Sequence, residues 1–201
     1  MNKILTIDPN NPSSIIIEEA SNILKKGGLV IIPTETVYGI ACDPNNANAV
    51  KRLQETKGRD FKKPISCVCS SKDQVKKMCV NWSKSIDKLC NKFWPGPLTL
   101  VLETNKGWIG FRFPKHNIPI ALCNKFGNLL ALSSANLSGD IDAISANETA
   151  KLDVDLILDG GFSSGKPIPS TVIKIDKNRI EGIREGCLTF KEIEDCFNHG
   201  I

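Results

Sequence analysis

The run Gly28-Leu29-Val30-Ile31-Ile32, closed by Pro33, constrains this chain more than any other stretch. It has no polar position and is rich in β-branched side chains, the signature of a buried strand. Proline has no N–H to give to a sheet ladder, so pairing is expected to stop at Pro33. Thr34, Glu35, Thr36 and Tyr38 follow at once, and a backbone bend is expected at Gly39. A rigid strand that ends in polar side chains puts a binding loop on a scaffold. The stretch alone leaves two readings of Thr34 and Thr36 open: ligand groups, or hydroxyls that satisfy their own loop.

Strands and helices alternate irregularly around it. A helix is expected from Ser13 or Ser14 to about Lys26, with Ala20, Ile23 and Leu24 inward and Gly27-Gly28 as its stop. Another follows Pro44-Asn45-Asn46 and ends at Lys57-Gly58-Arg59. Further helices are expected over 71–78, 83–93, 118–126 and 189–197. Strands are expected over 64–69, 98–102, 108–113, 129–134 and 156–159, with 170–175 and 179–184 forming a hairpin. Alternation in 108–113 sets Arg112 on the face opposite Ile109, Phe111 and Phe113. The mixture predicts an α/β fold: a twisted, mixed parallel and antiparallel sheet with flanking helices, in one domain over residues 1–201.

Composition excludes several classes. The chain is 24% charged and 41% apolar, which suits a globular core. A formal net charge of +4 fits a small anionic ligand better than an extended nucleic-acid groove. No apolar run nears the ~20 residues of a membrane span. The first residues lack the apolar core of a secretion signal, so a cytoplasmic location is expected. Eight cysteines are scattered without a Cys-x-x-Cys pair, and there are two histidines. Protein-bound metal and a Ser-His-Asp site therefore have little material. Gly160 to Lys166 has the spacing of a phosphate-binding loop, but Pro167 stands where a Ser or Thr would hold magnesium, and Pro169 follows.

The remaining basic groups are better placed. Lys57, Arg59 and Lys63 flank a helix end and the next strand, Arg112 lies on a polar strand face, and Arg184 closes the hairpin. With the hydroxyl-rich stretches 34–36, 133–138 and 170–171 they suggest a site for a polyanion, since arginine forks suit carboxylate and phosphate and lysine acts as a mobile point charge.

The stretches Pro33-Thr34-Glu35-Thr36-Val37-Tyr38-Gly39, Lys57-Gly58-Arg59, Lys63-Pro64, Phe93-Trp94-Pro95-Gly96-Pro97-Leu98-Thr99, Ser134-Ala135-Asn136-Leu137-Ser138-Gly139 and Pro169-Ser170-Thr171-Val172 occur in this order. Together they resemble the YrdC-type threonylcarbamoyl-AMP synthase family, from about Ile15 to Gly186. The resemblance implies a mixed α/β sheet around a basic cavity. It implies an enzyme, a nucleotidyltransferase that combines L-threonine, bicarbonate and ATP into threonylcarbamoyl-adenylate and pyrophosphate. The product would pass to a threonylcarbamoyl-transferase complex acting on tRNA; weak binding of tRNA itself belongs to the same expectation. Magnesium is expected on the ATP, held largely through substrate oxygens. Position by position, Thr34, Thr36, Arg112 and Ser170 match threonine-binding places. Arg59, Lys63, Ser134, Asn136 and Arg184 match ATP-binding places, and Lys57 with Arg59 would be catalytic. Asp140-Ile141-Asp142-Ala143 departs from the family's usual Pro-rich segment. The 201 residues hold no counterpart of the longer members' C-terminal domain, so closure of the cavity is expected to come from elsewhere. Two other readings share these features: an RNA-binding module without catalysis, and a carbamoyl-transfer domain of the hydrogenase-maturation type.

Overall fold

The computed structural model describes residues 2–58, 60, 64–163, 166–177 and 179–199, residue 199 by its backbone alone. Arg59 and Lys63, expected at the nucleotide site, lie outside the described residues, as does Asn178 of the expected hairpin turn.

The centre is a ten-stranded sheet in the order β1-β8-β2-β3-β7-β4-β6-β5-β9-β10. Its strands are β1 (Ile4–Thr6), β2 (Val30–Ile32), β3 (Gly39–Cys42), β4 (Ser66–Val68), β5 (Leu98–Thr104), β6 (Gly107–Arg112), β7 (Leu130–Ser134), β8 (Leu156–Asp159), β9 (Thr171–Asp176) and β10 (Arg179–Arg184). Strand β8 runs parallel to both β1 and β2, β4 to β6, and β5 to β9. The other pairings are antiparallel, so the sheet is mixed as expected.

Strand β2 explains why its sequence has no polar position. Val30 and Ile32 pack on one face with Ile17, Ala20 and Leu24 of helix α1 (Ser14–Lys25) and with Ile118 and Leu122 of α5 (Asn117–Phe126). Leu29 and Ile31 pack on the other with Ala49 and Leu53 of α2 (Ala47–Thr56). A third core joins α4 (Lys84–Phe93) and α6 (Phe190–His199) to Leu98, Leu100, Phe111 and Ile173. The short helix α3 (Lys72–Lys76) adds Val75 to it. Fully burying one such aliphatic side chain contributes about 1.5–3 kcal/mol, so a strand with both faces covered is among the stiffest places to mount a loop.

Three features go beyond or against the sequence expectations. Gly39 is not a bend: it opens β3, pairs with Ile32 and Ser134, and has no positive φ. Its missing side chain serves a close approach, because a Cβ there would stand 2.8 Å from Leu132. Strand β1 was not expected at all. At the start of α1, Ser13 occupies the cap position without a side-chain hydrogen bond. By contrast, Asn46, Ser71 and Ser83 each cap a helix by accepting backbone N–H groups. No helix among the described residues is long and apolar enough to cross a membrane.

Candidate functional site

The connection between β2 and β3 is built around Thr34. Its hydroxyl donates to the Val37 carbonyl at 2.7 Å and accepts from the N–H groups of Thr36 and Val37 at 3.2 and 3.3 Å. With that proton committed, the Thr36 hydroxyl is the donor in their 3.0 Å contact. Both residues are 1% exposed. The loop is tied to the chain after β7 by two backbone bonds, Tyr38 N–H to Ala143 and Ala135 N–H to Tyr38, each 2.8 Å. The Tyr38 hydroxyl donates to the Gly161 carbonyl at 2.5 Å and accepts from the Gly160 N–H at 3.2 Å. Burial, aided by the nearby Asp159 charge, pushes this phenol above its ordinary range, so it stays protonated and keeps donating.

A second loop, 134–139, is organised by a buried ammonium. Lys57 follows α2 and is 2% exposed. The chain turns away at Gly58, whose φ of +57° suits glycine. The Lys57 Nζ donates to the carbonyl of Ser134, to that of Asn136 at 2.7 Å and to Asn136 Oδ1 at 3.0 Å. The Ser134 hydroxyl also donates to Asn136 Oδ1, at 2.7 Å, and Asn136 Nδ2 donates to the Asp140 carbonyl at 2.7 Å. An ammonium can only donate, which fixes the orientation of the Asn136 amide.

Arg112 ends β6, on the face that alternation gave it. Its Nε donates to the Gly96 carbonyl at 3.3 Å. Its Nη2 stands 2.8 Å from Glu35 Oε2, with side chains 8% and 19% exposed. The contact is an ion pair without hydrogen-bond alignment: Nη2 and both Glu35 oxygens are buried and have no hydrogen bond. Ser170 is 5% exposed, and its hydroxyl lies 2.8 Å from that of Thr99. Arg184 grips the Ser170 carbonyl through Nε at 3.2 Å and Nη2 at 2.9 Å. The register of β9 and β10 shifts between Gly182 and Arg184, a bulge of the kind that re-aims a side chain.

His116 sits near this pair and caps α5, its Nδ1 accepting the Ile118 N–H at 3.2 Å. Burial lowers its pKa below the ordinary 6.5; the Glu35 charge acts in the opposite direction and Arg112 in the same one. A base with a lowered native pKa takes up its proton more readily when unfolded. Its contribution to stability is therefore intact above about pH 6.5 and is lost as pH falls below that. Thermal unfolding followed at pH 7.5 and 5.5 is expected to show a smaller acid loss for His116→Asn, which keeps a cap acceptor that does not titrate, than for the unaltered chain. An equal loss in both would remove His116 from the pH response.

These elements surround one cleft of ≈ 670 Å³, counting the space open to solvent. Of the expected residues, Thr34, Arg112, Ser134, Ser170 and Arg184 line it. Thr36 lies behind the wall. Asn136 faces a neighbouring hollow instead, shared with Asp140, Ile141 and Asp142, the segment that departs from the family pattern. Lys57 supports the 134–136 loop from beneath. Thr99, Tyr38 and Glu35 escaped the site assignment. Strand alternation puts Thr99 on the face opposite Leu98 and Leu100 and could have found it; nothing in the sequence joins Glu35 to Arg112. Among the described residues no cluster of His, Cys, Asp and Glu could hold a metal. Seven of the eight free thiols are buried or half-buried, and burial pushes those of Cys42 and Cys67 up to about 12, so they are inert packing.

Comparison with known proteins gives this cleft a context. The Sua5–YciO–YrdC family model, described as "Telomere recombination", matches residues 22–186. A threonylcarbamoyl-AMP synthase of Pyrococcus abyssi is 33% identical, over 89% of this chain and 56% of that protein. A putative threonylcarbamoyl-AMP synthase of Methanocaldococcus jannaschii is 32% identical, over 97% of this chain and 98% of that protein. The chain thus spans little more than half of the Pyrococcus relative and nearly all of the Methanocaldococcus one. The crystal structure of P. abyssi Sua5 complexed with L-threonine superposes with a TM-score of 0.91 at 31% identity, covering 97% of this chain and 61% of that one. E. coli YciO superposes at 0.85 with 25% identity, over 96% of this chain and all of its own.

Proposed function

The chain belongs to the Sua5–YciO–YrdC family, and we propose that it is a threonylcarbamoyl-AMP synthase acting on L-threonine, bicarbonate and ATP. The observation that carries the reading is the cleft itself. It gathers Arg112 from β6, Ser134 from β7, Ser170 from just before β9 and Arg184 from β10 around one cavity. Those are side chains suited to a carboxylate and to phosphates. The relative with L-threonine bound has the same fold.

The chemistry needs positioning more than a protein nucleophile. The threonine amine, having lost a proton, attacks the carbon of bicarbonate, and loss of water leaves a carbamate. A carbamate oxygen then attacks the α-phosphorus of ATP, and the bond from that phosphorus to the bridging oxygen breaks to release pyrophosphate. Arg112 and Ser170 would hold the amino acid by its carboxylate, and Ser134 and Arg184 would face the nucleotide. Fixing two reactants in this way removes most of the entropic cost of their meeting. Charge that builds at the α-phosphate is stabilised by donors already in place. Arg59 and Lys63 are proposed for the phosphates on the family resemblance. Lys57 is proposed as a positioning residue: its ammonium shapes the Ser134–Asn136 loop. Thr34 and Thr36 would act the same way, since their hydroxyls are committed to the 34–37 loop. Magnesium would enter with ATP and offset phosphate charge. The adenylate would be consumed by a transferase complex that modifies tRNA.

The test is pyrophosphate release by the purified chain. Release is expected only when L-threonine and bicarbonate are both present, with an AMP-containing product formed in equal amount. Release at the same rate without threonine would refute the assignment. Tight duplex RNA binding with a steep salt dependence, and no such turnover, would favour an RNA-binding module instead.

A further inference from the structure

Glu35 has no role in the chemistry above, yet it is the most unusually placed acid in the molecule. It sits in the β2–β3 loop, between two threonines whose hydroxyls hold that loop rigid. Both carboxylate oxygens are buried and accept no hydrogen bond, and Arg112 Nη2, 2.8 Å away, donates none. A buried carboxylate that accepts nothing and a buried guanidinium nitrogen that donates nothing are costly, and each is an open place for a partner. The missing partners are complementary. The carboxylate lacks aligned donors and Arg112 Nη2 lacks an aligned acceptor, while Arg112 Nε is held by the Gly96 carbonyl. Arg112 lines the cleft, and Glu35 Oε2 stands 2.8 Å from its Nη2.

The geometry points to a two-charge receptor for a free α-amino acid: Arg112 takes the α-carboxylate and Glu35 takes the α-ammonium. This rests on the reading of the cleft as an amino-acid-activating site and adds the group that recognises the amine. The two side chains lie against each other, each offering the charge opposite to one end of such a ligand. A zwitterion brings both charges at once and can exchange the one unaligned contact for several aligned ones, because an ammonium has three donors and a carboxylate two acceptor oxygens. A ligand with only an anionic group would strand the Glu35 carboxylate beside it. Glu35 would thereby also keep phosphates away from Arg112, reserving this arginine for the amino acid.

The experiment is calorimetric binding of three probes in the absence of ATP: L-threonine, L-threonine methyl ester, which lacks the carboxylate, and 3-hydroxybutyrate, which lacks the amine. The unaltered chain is expected to prefer L-threonine over each single-charge analogue by at least about tenfold, the worth of one charge-assisted contact. In Glu35→Gln the preference over 3-hydroxybutyrate is expected to collapse toward unity, and the preference over the ester to persist. Glu35→Asp is expected to restore part of the first preference. A purely structural role would weaken all three probes together and leave both ratios unchanged, which would overturn the inference. So would an unaltered chain that binds L-threonine without preference over 3-hydroxybutyrate, a result that needs no variant to fold. Failure of the unaltered chain to bind L-threonine would instead overturn the reading of the cleft, and this inference with it.

Discussion

Arg112→Ala is expected to raise the threonine requirement of turnover about ten- to hundredfold, the loss of one charge-assisted contact to a carboxylate. It is also expected to destabilise the fold by about 3 kcal/mol, the low end for breaking a buried ion pair. The low end applies because the Glu35 side chain retains 19% exposure. The two effects have different causes and can be separated. The stability loss comes from stranding Glu35, so adding Glu35→Gln to Arg112→Ala should recover most of it. The turnover loss comes from the missing guanidinium, so the double variant should remain as poor an enzyme as the single one. Denaturant unfolding and threonine-dependent pyrophosphate release, measured on both variants, check the two halves. Recovery of turnover in the double variant would mean that Arg112 acts on the fold and not on the substrate.

Lys57→Ala should have an effect of similar size by another route. Its ammonium serves three acceptors between Ser134 and Asn136, of which only Asn136 Oδ1 keeps another donor, the Ser134 hydroxyl. Removing it is expected to cost about 3 kcal/mol of stability, the worth of one or two hydrogen bonds to a charged group. The apparent affinity for ATP should fall more than that for threonine, because Ser134 lies on the wall assigned to the nucleotide. A lysine in contact with the reacting atoms would behave differently: turnover would drop while unfolding stayed where it was. That pattern would return Lys57 to a catalytic role.

Part of this architecture can be read directly in the residues. The β2 run is apolar because it is covered on both faces, and such a strand leaves an unbroken apolar trace. The same logic placed Arg112 correctly, since alternation along a strand is local. Strand β3 was hidden for the opposite reason. Gly39-Ile40-Ala41-Cys42 is short and opens on a glycine, and it is a strand because β2 and β7 lie on either side of it. Propensity does not carry that information. Lys57 read as a basic group just past a helix end and, through its motif, as catalytic; only the turn at Gly58 and the nearby end of β7 show why it is buried. The Glu35–Arg112 pair joins two segments far apart in the chain, and no spacing rule reports it. The individual cleft side chains were legible through their motifs. Which of them face the cavity and which brace it from behind depends on packing.

The position of β8 has a consequence for how the chain is made. It lies between β1 and β2 and pairs with both, so these two strands, made well before it, are not paired with each other in the finished sheet. Both must wait with an open edge until Leu156–Asp159 emerges, on the order of ten seconds after Ile32 at usual rates of synthesis. Nascent chains halted before Leu156 should therefore expose the edge of β2 to chaperones and to one another, whereas chains halted after Asp159 has cleared the exit tunnel should not.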